Sequence, residues 1–306
     1  MDYVLKTYNL SKKYGRKFAV QGVNLNIKKG DIYGFIGKNG AGKTSLIRMI
    51  TGLSSITNGG IELFGQDSPK DIINGRKRIG SLIENPAFYS NMTACENMEL
   101  LRLQKGIPGK KCIEEKLALV GLDKVEKKKI KNFSLGMKQK LGIAMALLGD
   151  PEFLILDEPT NGLDPMGIIE LRELLKQLNS DKGITILISS HILGELSQLA
   201  TCYGIINNGE LVEEISSDEL NERCKTSLEI KVNNVNKAAW VIENILNTNN
   251  FKVLPGRIIR LYDYINNPGE VSKNLLNNDV IVEELSVKGE NLESYFMGLL
   301  GGRKDD

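Results

Sequence analysis

The stretch Gly37-Lys38-Asn39-Gly40-Ala41-Gly42-Lys43-Thr44 constrains this chain more than any other. It places a glycine, four residues, and then Gly-Lys-Thr in a row. Small residues at these positions let backbone N–H groups turn inward and line a nest for an anion. Lys43 adds a point charge for the β- and γ-phosphates of a nucleotide, and the Thr44 hydroxyl suits Mg²⁺. The flanks agree with that reading. Asp31-Ile32-Tyr33-Gly34-Phe35-Ile36 has the apolar texture of a short buried strand. Ser45-Leu46-Ile47-Arg48-Met49-Ile50 repeats apolar residues at helical spacing. The loop would therefore open onto a helix N-terminus, whose dipole favours phosphate. These features imply nucleotide binding without saying for what purpose.

The chain has 306 residues, room for one large domain or two ordinary ones. With 41% hydrophobic and 25% charged residues it has the balance of a globular protein. A net charge of +2 gives no argument for nucleic acid as a partner. There is no apolar run of about 18 residues, so no membrane span is expected. Met1-Asp2-Tyr3-Val4-Leu5-Lys6 has no apolar signal core. Cys95, Cys112, Cys202 and Cys224 form no Cys-x-x-Cys pair. They read as buried or inert thiols in a reducing compartment rather than as disulfides or metal ligands.

Residues 3–9 and 23–28 read as strands, the second from the alternation Val23-Asn24-Leu25-Asn26-Ile27. Another short strand is expected at Gly59–Gly65. Residues 87–150 read as mostly helical and basic, with charge clusters that suit solvated helix faces. Phe153-Leu154-Ile155-Leu156 is continuously apolar, as a strand buried on both faces must be. Leu171, Leu174, Leu175 and Leu178 follow at helical spacing, and Ile184–Ile188 makes another buried strand. Strand, helix, strand at this spacing implies α/β architecture with a parallel sheet. After about residue 220 the pattern becomes β-α-β-β-α-β, with strands at 228–232, 251–254, 258–262 and 280–287 and helices at 238–246 and 271–276. That order suggests a small ferredoxin-like α+β unit at 226–306, distinct from a nucleotide-binding domain at 1–220. A closing helix is expected at 290–300, ending at Gly301-Gly302.

A phosphate loop that hydrolyses its nucleotide needs a carboxylate near Mg²⁺ and a group that handles water. Asp157 and Glu158 close the apolar strand, at the end where open α/β sheets present ligand groups. Asp157 could hold Mg²⁺ through its water shell. Glu158 could orient or deprotonate the attacking water.

Phe133-Ser134-Leu135-Gly136-Met137-Lys138-Gln139, with Ser134 lying 23 residues before Asp157, makes a specific likeness. It resembles the signature motif of ATP-binding cassette (ABC) proteins, Leu-Ser-Gly-Gly-Gln. Ser134 and Gly136 match, Leu135 replaces the first glycine, and Gln139 is displaced. Ser134 also suits a helix N-cap. Asn161-Gly162-Leu163-Asp164 resembles the family's D-loop, which faces a partner subunit. His191, the one histidine, resembles the switch histidine that touches the γ-phosphate. Tyr14 resembles the aromatic residue that stacks on adenine. The likeness covers about residues 3–215. It implies a P-loop ATPase with an antiparallel β subdomain and a helical subdomain at about 87–150, binding ATP and Mg²⁺. By the same resemblance, Gly37 to Thr44 with Ser45, and Ser134 and Gly136 from a second subunit, enclose ATP. Thr44 and Asp157 organise the metal, Glu158 and His191 serve hydrolysis, and Asn161 and Asp164 face the dimer partner.

One position departs from the common family pattern. Glu84, within Ile79–Tyr89, stands where most cassette ATPases carry a glutamine that reaches Mg²⁺ and water. A glutamate there would be a hard anionic ligand, counted with the metal and catalytic groups, and it offers no amide donor. The Leu-Ile-Glu-x-Pro-x-x-Tyr segment resembles the ATPases of bacitracin- and lantibiotic-type peptide exporters. So does the tail Asn291-Leu292-Glu293-Ser294-Tyr295-Phe296 with Gly301-Gly302. The resemblance implies an ATPase dimer, with an identical copy as the expected second subunit. It would work at the cytoplasmic face of the membrane with separate transmembrane permease subunits, exporting a peptide antibiotic. Three other readings stay open: a soluble cassette ATPase acting on ribosomes or nucleic acid, an exporter of an unrelated substrate, and a catalytically silent cassette.

Overall fold

A computed structural model describes residues 2–300, apart from 85, 126, 290 and 291. Asn291 of the expected tail motif and the glycines Gly301-Gly302 lie outside the described residues, as does Asn85. The chain divides into two compact units, Met1–Ser217 and Asp218–Asp306.

The first unit is built on a six-stranded sheet. Its order is Glu210–Ser216, Cys202–Asn207, Ile32–Ile36, Thr185–Ser190, Phe153–Asp157, Ile79–Leu82. All neighbours are parallel except the first pair, which is an antiparallel hairpin. Ile32–Ile36, Phe153–Asp157 and Thr185–Ser190 are buried at every position, which is why they lack apolar–polar alternation. Their C-terminal ends deliver Gly37, Glu158 and His191 to one edge of the sheet. The intervening helices Lys43–Thr51 and Pro165–Lys182 close the crossovers.

A four-stranded antiparallel layer pairs Tyr3–Tyr14 with Lys17–Val23, Asn26–Lys28 and Asn58–Leu63. The strand expected across 23–28 is divided: Val23 ends one strand and Asn26 begins another. The break is held by Thr7, whose hydroxyl donates to Val23 O at 2.9 Å and accepts the Leu25 N–H at 2.8 Å. Leu5, Leu10, Val20, Val23, Leu25 and Ile27 from this layer join Leu46, Ile47, Met49 and Ile50 of the phosphate-loop helix in one core. The helical region contains Ala94–Gln104, Lys111–Leu119 and Leu135–Ala146. Thr93 and Glu96 form a reciprocal capping box at its first helix.

The second unit runs Ser227–Val232, Val235–Asn244, Phe251–Leu254, Ile258–Leu261, Pro268–Asn277, Val282–Lys288. Its sheet has the strand order second, third, first, fourth, with every neighbouring pair antiparallel. That is the ferredoxin-like split β-α-β arrangement. Its core is its own, formed by Leu228, Ile230, Val232, Val241, Ile242, Ile259, Leu261, Val271 and Leu275. The helix Leu292–Leu300 follows.

No disulfide joins the cysteines among the described residues, and Cys95 is exposed rather than buried. Burial, reinforced by Glu214 and Asp31, pushes the Cys202 thiol up to about 12. The thiolate is the reactive form, so a raised pKa suppresses it until pH approaches that value. At pH 8, iodoacetamide is expected to label Cys95 well before Cys202. Equal labelling rates by peptide mapping would contradict this burial.

Candidate active site

The phosphate loop joins the buried strand Ile32–Ile36 to the helix Lys43–Thr51. Gly42 sits at the helix N-cap with φ +112°, where an added Cβ would lie 2.4 Å from Ala19 O. Only glycine fits both demands. Ala19, Asn39 to Ser45, Glu158 and Asn161 line a cavity of about 210 Å³ at the loop. Gly37 and Lys38 contribute backbone carbonyls just behind it. Lys43 Nζ donates to Gly37 O at 2.6 Å and to Lys38 O at 3.3 Å.

The two acids expected beside the loop are both there. Thr44 Oγ1 donates to Asp157 Oδ2 at 2.7 Å. Ser189 Oγ donates to Asp157 Oδ1 at 2.6 Å, so a neighbouring strand orients that buried carboxylate. Glu158 lies 3.1 Å from Lys43 Nζ through Oε1. Its Oε2 accepts from His191 Nδ1 at 2.7 Å, since a carboxylate beside the ring requires that nitrogen to carry the proton. One carboxylate thus bridges the loop lysine and the histidine. Glu158 holds this place with φ +50°, a left-handed conformation uncommon for a non-glycine residue. The Ser189 carbonyl and hydroxyl oxygens both accept its backbone N–H.

Tyr14 is half exposed, with its hydroxyl within hydrogen-bonding reach of Ser54 and Ser45. Hydrogen bonding to Ser54, aided by the Lys12 charge, holds its phenol below the usual value. Lys12 Nζ stands 5.0 Å from the centre of the ring.

Four expected residues lie elsewhere in the first unit. Ser134 caps the helix Leu135–Ala146 by accepting the Met137 N–H. Asp164 caps Pro165–Lys182 by accepting the Gly167 N–H at 2.8 Å. Ser134, Gly136 and Asp164 line a separate cavity of about 390 Å³, not the phosphate-loop cavity. Gln139, the displaced signature glutamine, is buried, and its amide oxygen has no hydrogen-bond partner among the described residues. Leu135, one turn earlier on the same face of the helix, is exposed. Leu135 covers the D-loop: an added Cβ on Gly162 would lie 2.5 Å from Leu135 Cδ2.

Glu84 departs from its expected place. Its carboxylate pairs with Arg48 Nη2 at 2.7 Å rather than with Thr44 and Asp157, and it does not line the phosphate-loop cavity. Arg48 projects from the phosphate-loop helix and offers an opposite charge, which the glutamine of other cassettes could not exploit in the same way. Ser189, which holds Asp157, and Arg48, which holds Glu84, are contacts that sequence reasoning missed. The pair Ser189-Ser190 before His191 was the available signal for the first.

Gly42→Ala is expected to weaken nucleotide binding at least tenfold and to cost about 1–3 kcal/mol of stability through backbone strain. Titration with a fluorescent ATP analogue and a thermal melt would check both. Wild-type affinity in that variant would mean that the loop tolerates a Cβ against Ala19.

The model of the ABC transporter family matches residues 20–161. Over 302 residues the chain is 46% identical to the bacitracin transport ATP-binding protein BcrA of Bacillus licheniformis, covering 99% of each. It is 46% identical over 216 residues to the lantibiotic transport ATP-binding protein SrtF of Streptococcus pyogenes, covering 70% of this chain and 92% of that one. Among solved structures, cbiO1 from Clostridium perfringens, part of the ABC transporter complex cbiONQ, superposes with a TM-score of 0.66. It is 28% identical, over 72% of this chain and 92% of that one. A dimeric ATP-binding cassette solved in a post-hydrolysis state with ADP and phosphate gives a TM-score of 0.64 at 26% identity, over 70% of this chain and 98% of that one. With a site of this geometry, and with full-length identity at this level, the chain belongs to the ABC transporter family as an ATP-binding, ATP-hydrolysing subunit.

Proposed function

We propose that this ATPase drives export of peptide antibiotics of the bacitracin or lantibiotic kind and so protects the cell that makes or meets them. The observation that carries the catalytic part is the Glu158 carboxylate spanning Lys43 and His191. Full-length identity to a bacitracin transport protein supports the substrate class. No helix among the described residues is long and apolar enough to cross a membrane. We therefore assign the channel to separate permease subunits and place this chain at the cytoplasmic face of the membrane.

On this reading the loop amides and Lys43 grip the ATP phosphates while Tyr14 stacks on adenine. The hydroxyl of Thr44 and the carboxylate of Asp157 already lie together, and hard oxygen donors of this kind suit Mg²⁺. Bound there, Mg²⁺ would neutralise charge on the phosphates. Arrival of a γ-phosphate would draw Lys43 from Glu158, leaving Glu158 to accept a proton from water. His191 would then hold the phosphate oxygen. Ser134 and Gly136 lie away from the chain's own loop cavity, which supports their use on ATP held by a second copy. Asn161 and Asp164 would lie at that interface, and the region Glu84 to Tyr89 would relay closure to the permease. We assign 1–220 as the nucleotide-binding domain and 226–306 as an accessory domain.

Glu158→Gln is expected to lower turnover by about 10²-fold or more, the usual worth of a general base, while keeping ATP binding and favouring the closed dimer. Near-normal hydrolysis would sink the assignment. Glu84→Gln removes the charge paired with Arg48. It should shift the Mg²⁺ dependence of hydrolysis or lower peptide resistance in cells. A variant unchanged in both assays would show that Glu84 is neutral.

A further inference from the structure

Glu195 follows His191 on the short helix Leu193–Leu196, whose two leucines are buried. Its Oε2 accepts from Thr160 Oγ1 at 2.6 Å, the length of a strong hydroxyl–carboxylate bond. The same oxygen lies 3.3 Å from Ser190 Oγ, which also accepts the Ile192 N–H at 2.9 Å. Ser190 and Ile192 flank His191 on either side. Thr160 stands between Glu158 and Asn161, and the Asn161 N–H donates back to Glu158 O at 3.2 Å. One carboxylate oxygen therefore joins the turn that carries His191 to the loop that leaves Glu158.

We propose that Glu195 is a positioning residue, a strut that keeps the His191 ring at its 2.7 Å contact with Glu158 and sets both groups against the phosphate. It rests on the roles assigned above to Glu158 and His191. Both loops emerge from strand ends, where the sheet's own pairing stops. Glu158 already occupies a left-handed conformation, which an unsupported loop would relax. The bond from Thr160 supplies a restraint beyond the strand ends. Misplacing catalytic groups by about an ångström can cost on the order of 10²-fold in rate, without touching groups that bind substrate. Among the described residues no hydrogen bond or ion pair joins Lys43 to Glu195, so ATP affinity has no reason to follow.

The test compares Glu195→Ala, Glu195→Gln, Thr160→Val and the double variant Glu195→Ala/Thr160→Val in the full-length chain, with Glu158→Gln as reference. Steady-state ATPase kinetics and titration with a fluorescent ATP analogue supply kcat, KM and affinity. Glu195→Ala should lower kcat about tenfold or more, with KM and analogue affinity within about twofold. Glu195→Gln retains a carbonyl acceptor for Thr160 and should recover most of the loss. Thr160→Val should lower kcat, and adding it to Glu195→Ala should cost little more, because both remove one bond. A Glu195→Ala variant with unchanged kcat, alongside an inert Glu158→Gln, overturns the strut alone. Parallel loss of kcat and affinity with no rescue by glutamine also overturns it, in favour of a plain folding role. If Glu158→Gln hydrolyses normally, both this proposal and the assignment of Glu158 fall.

Discussion

Everything at this site hangs on where the Glu158 carboxylate is held. Its two oxygens contact a lysine of the phosphate loop and the ring of His191, at 3.1 and 2.7 Å. Lys43 and Asp157 beside it are buried. In such surroundings a charge must be paired, so the acid and the lysine satisfy one another until a phosphate offers the lysine a better partner. The same contact that stabilises the loop thus primes it for exchange. It also explains the backbone of Glu158, which leaves its strand in a left-handed conformation braced by Ser189.

The sheet makes this pairing available. Ile32–Ile36, Thr185–Ser190 and Phe153–Asp157 lie side by side and in parallel, so their C-terminal ends meet at one edge. The register brings Asp157 opposite Ser189 and Ile36 opposite Ser190. Shifting one of these strands by a residue would turn Asp157 away from Thr44. Apolar packing of Phe35, Leu46, Ile47, Phe153, Ile155 and Leu187 holds the register. The core therefore sets catalytic geometry without contributing a polar atom to it.

Much of this was legible in the chain. The phosphate loop is a contiguous motif, and its chemistry follows from residue type alone. The buried strands announced themselves by unbroken apolar runs, and the β-α-β-β-α-β order of the second unit followed from alternation and turn residues. What escaped notice depended on distant partners. Asn24 and Leu25 continue an alternating pattern, yet Thr7 ends the strand there by taking the Leu25 N–H. Gln139 looked like part of the signature, but it is buried. Glu84 read as a metal ligand because no local pattern could disclose Arg48 as its counter-ion.

The sequence by itself determined the kind of chemistry, the family, and the types and order of most elements. These are properties of neighbouring residues: glycines where amides must face an anion, acids after an apolar strand, a serine where a helix begins. The tertiary structure decided the pairings, among them Ser189 with Asp157, Arg48 with Glu84, Leu135 with Gly162, and Glu195 with Thr160. Each joins residues far apart in the chain. Their meeting depends on strand order and crossover, which hydrophobic periodicity cannot encode because it repeats within a few residues.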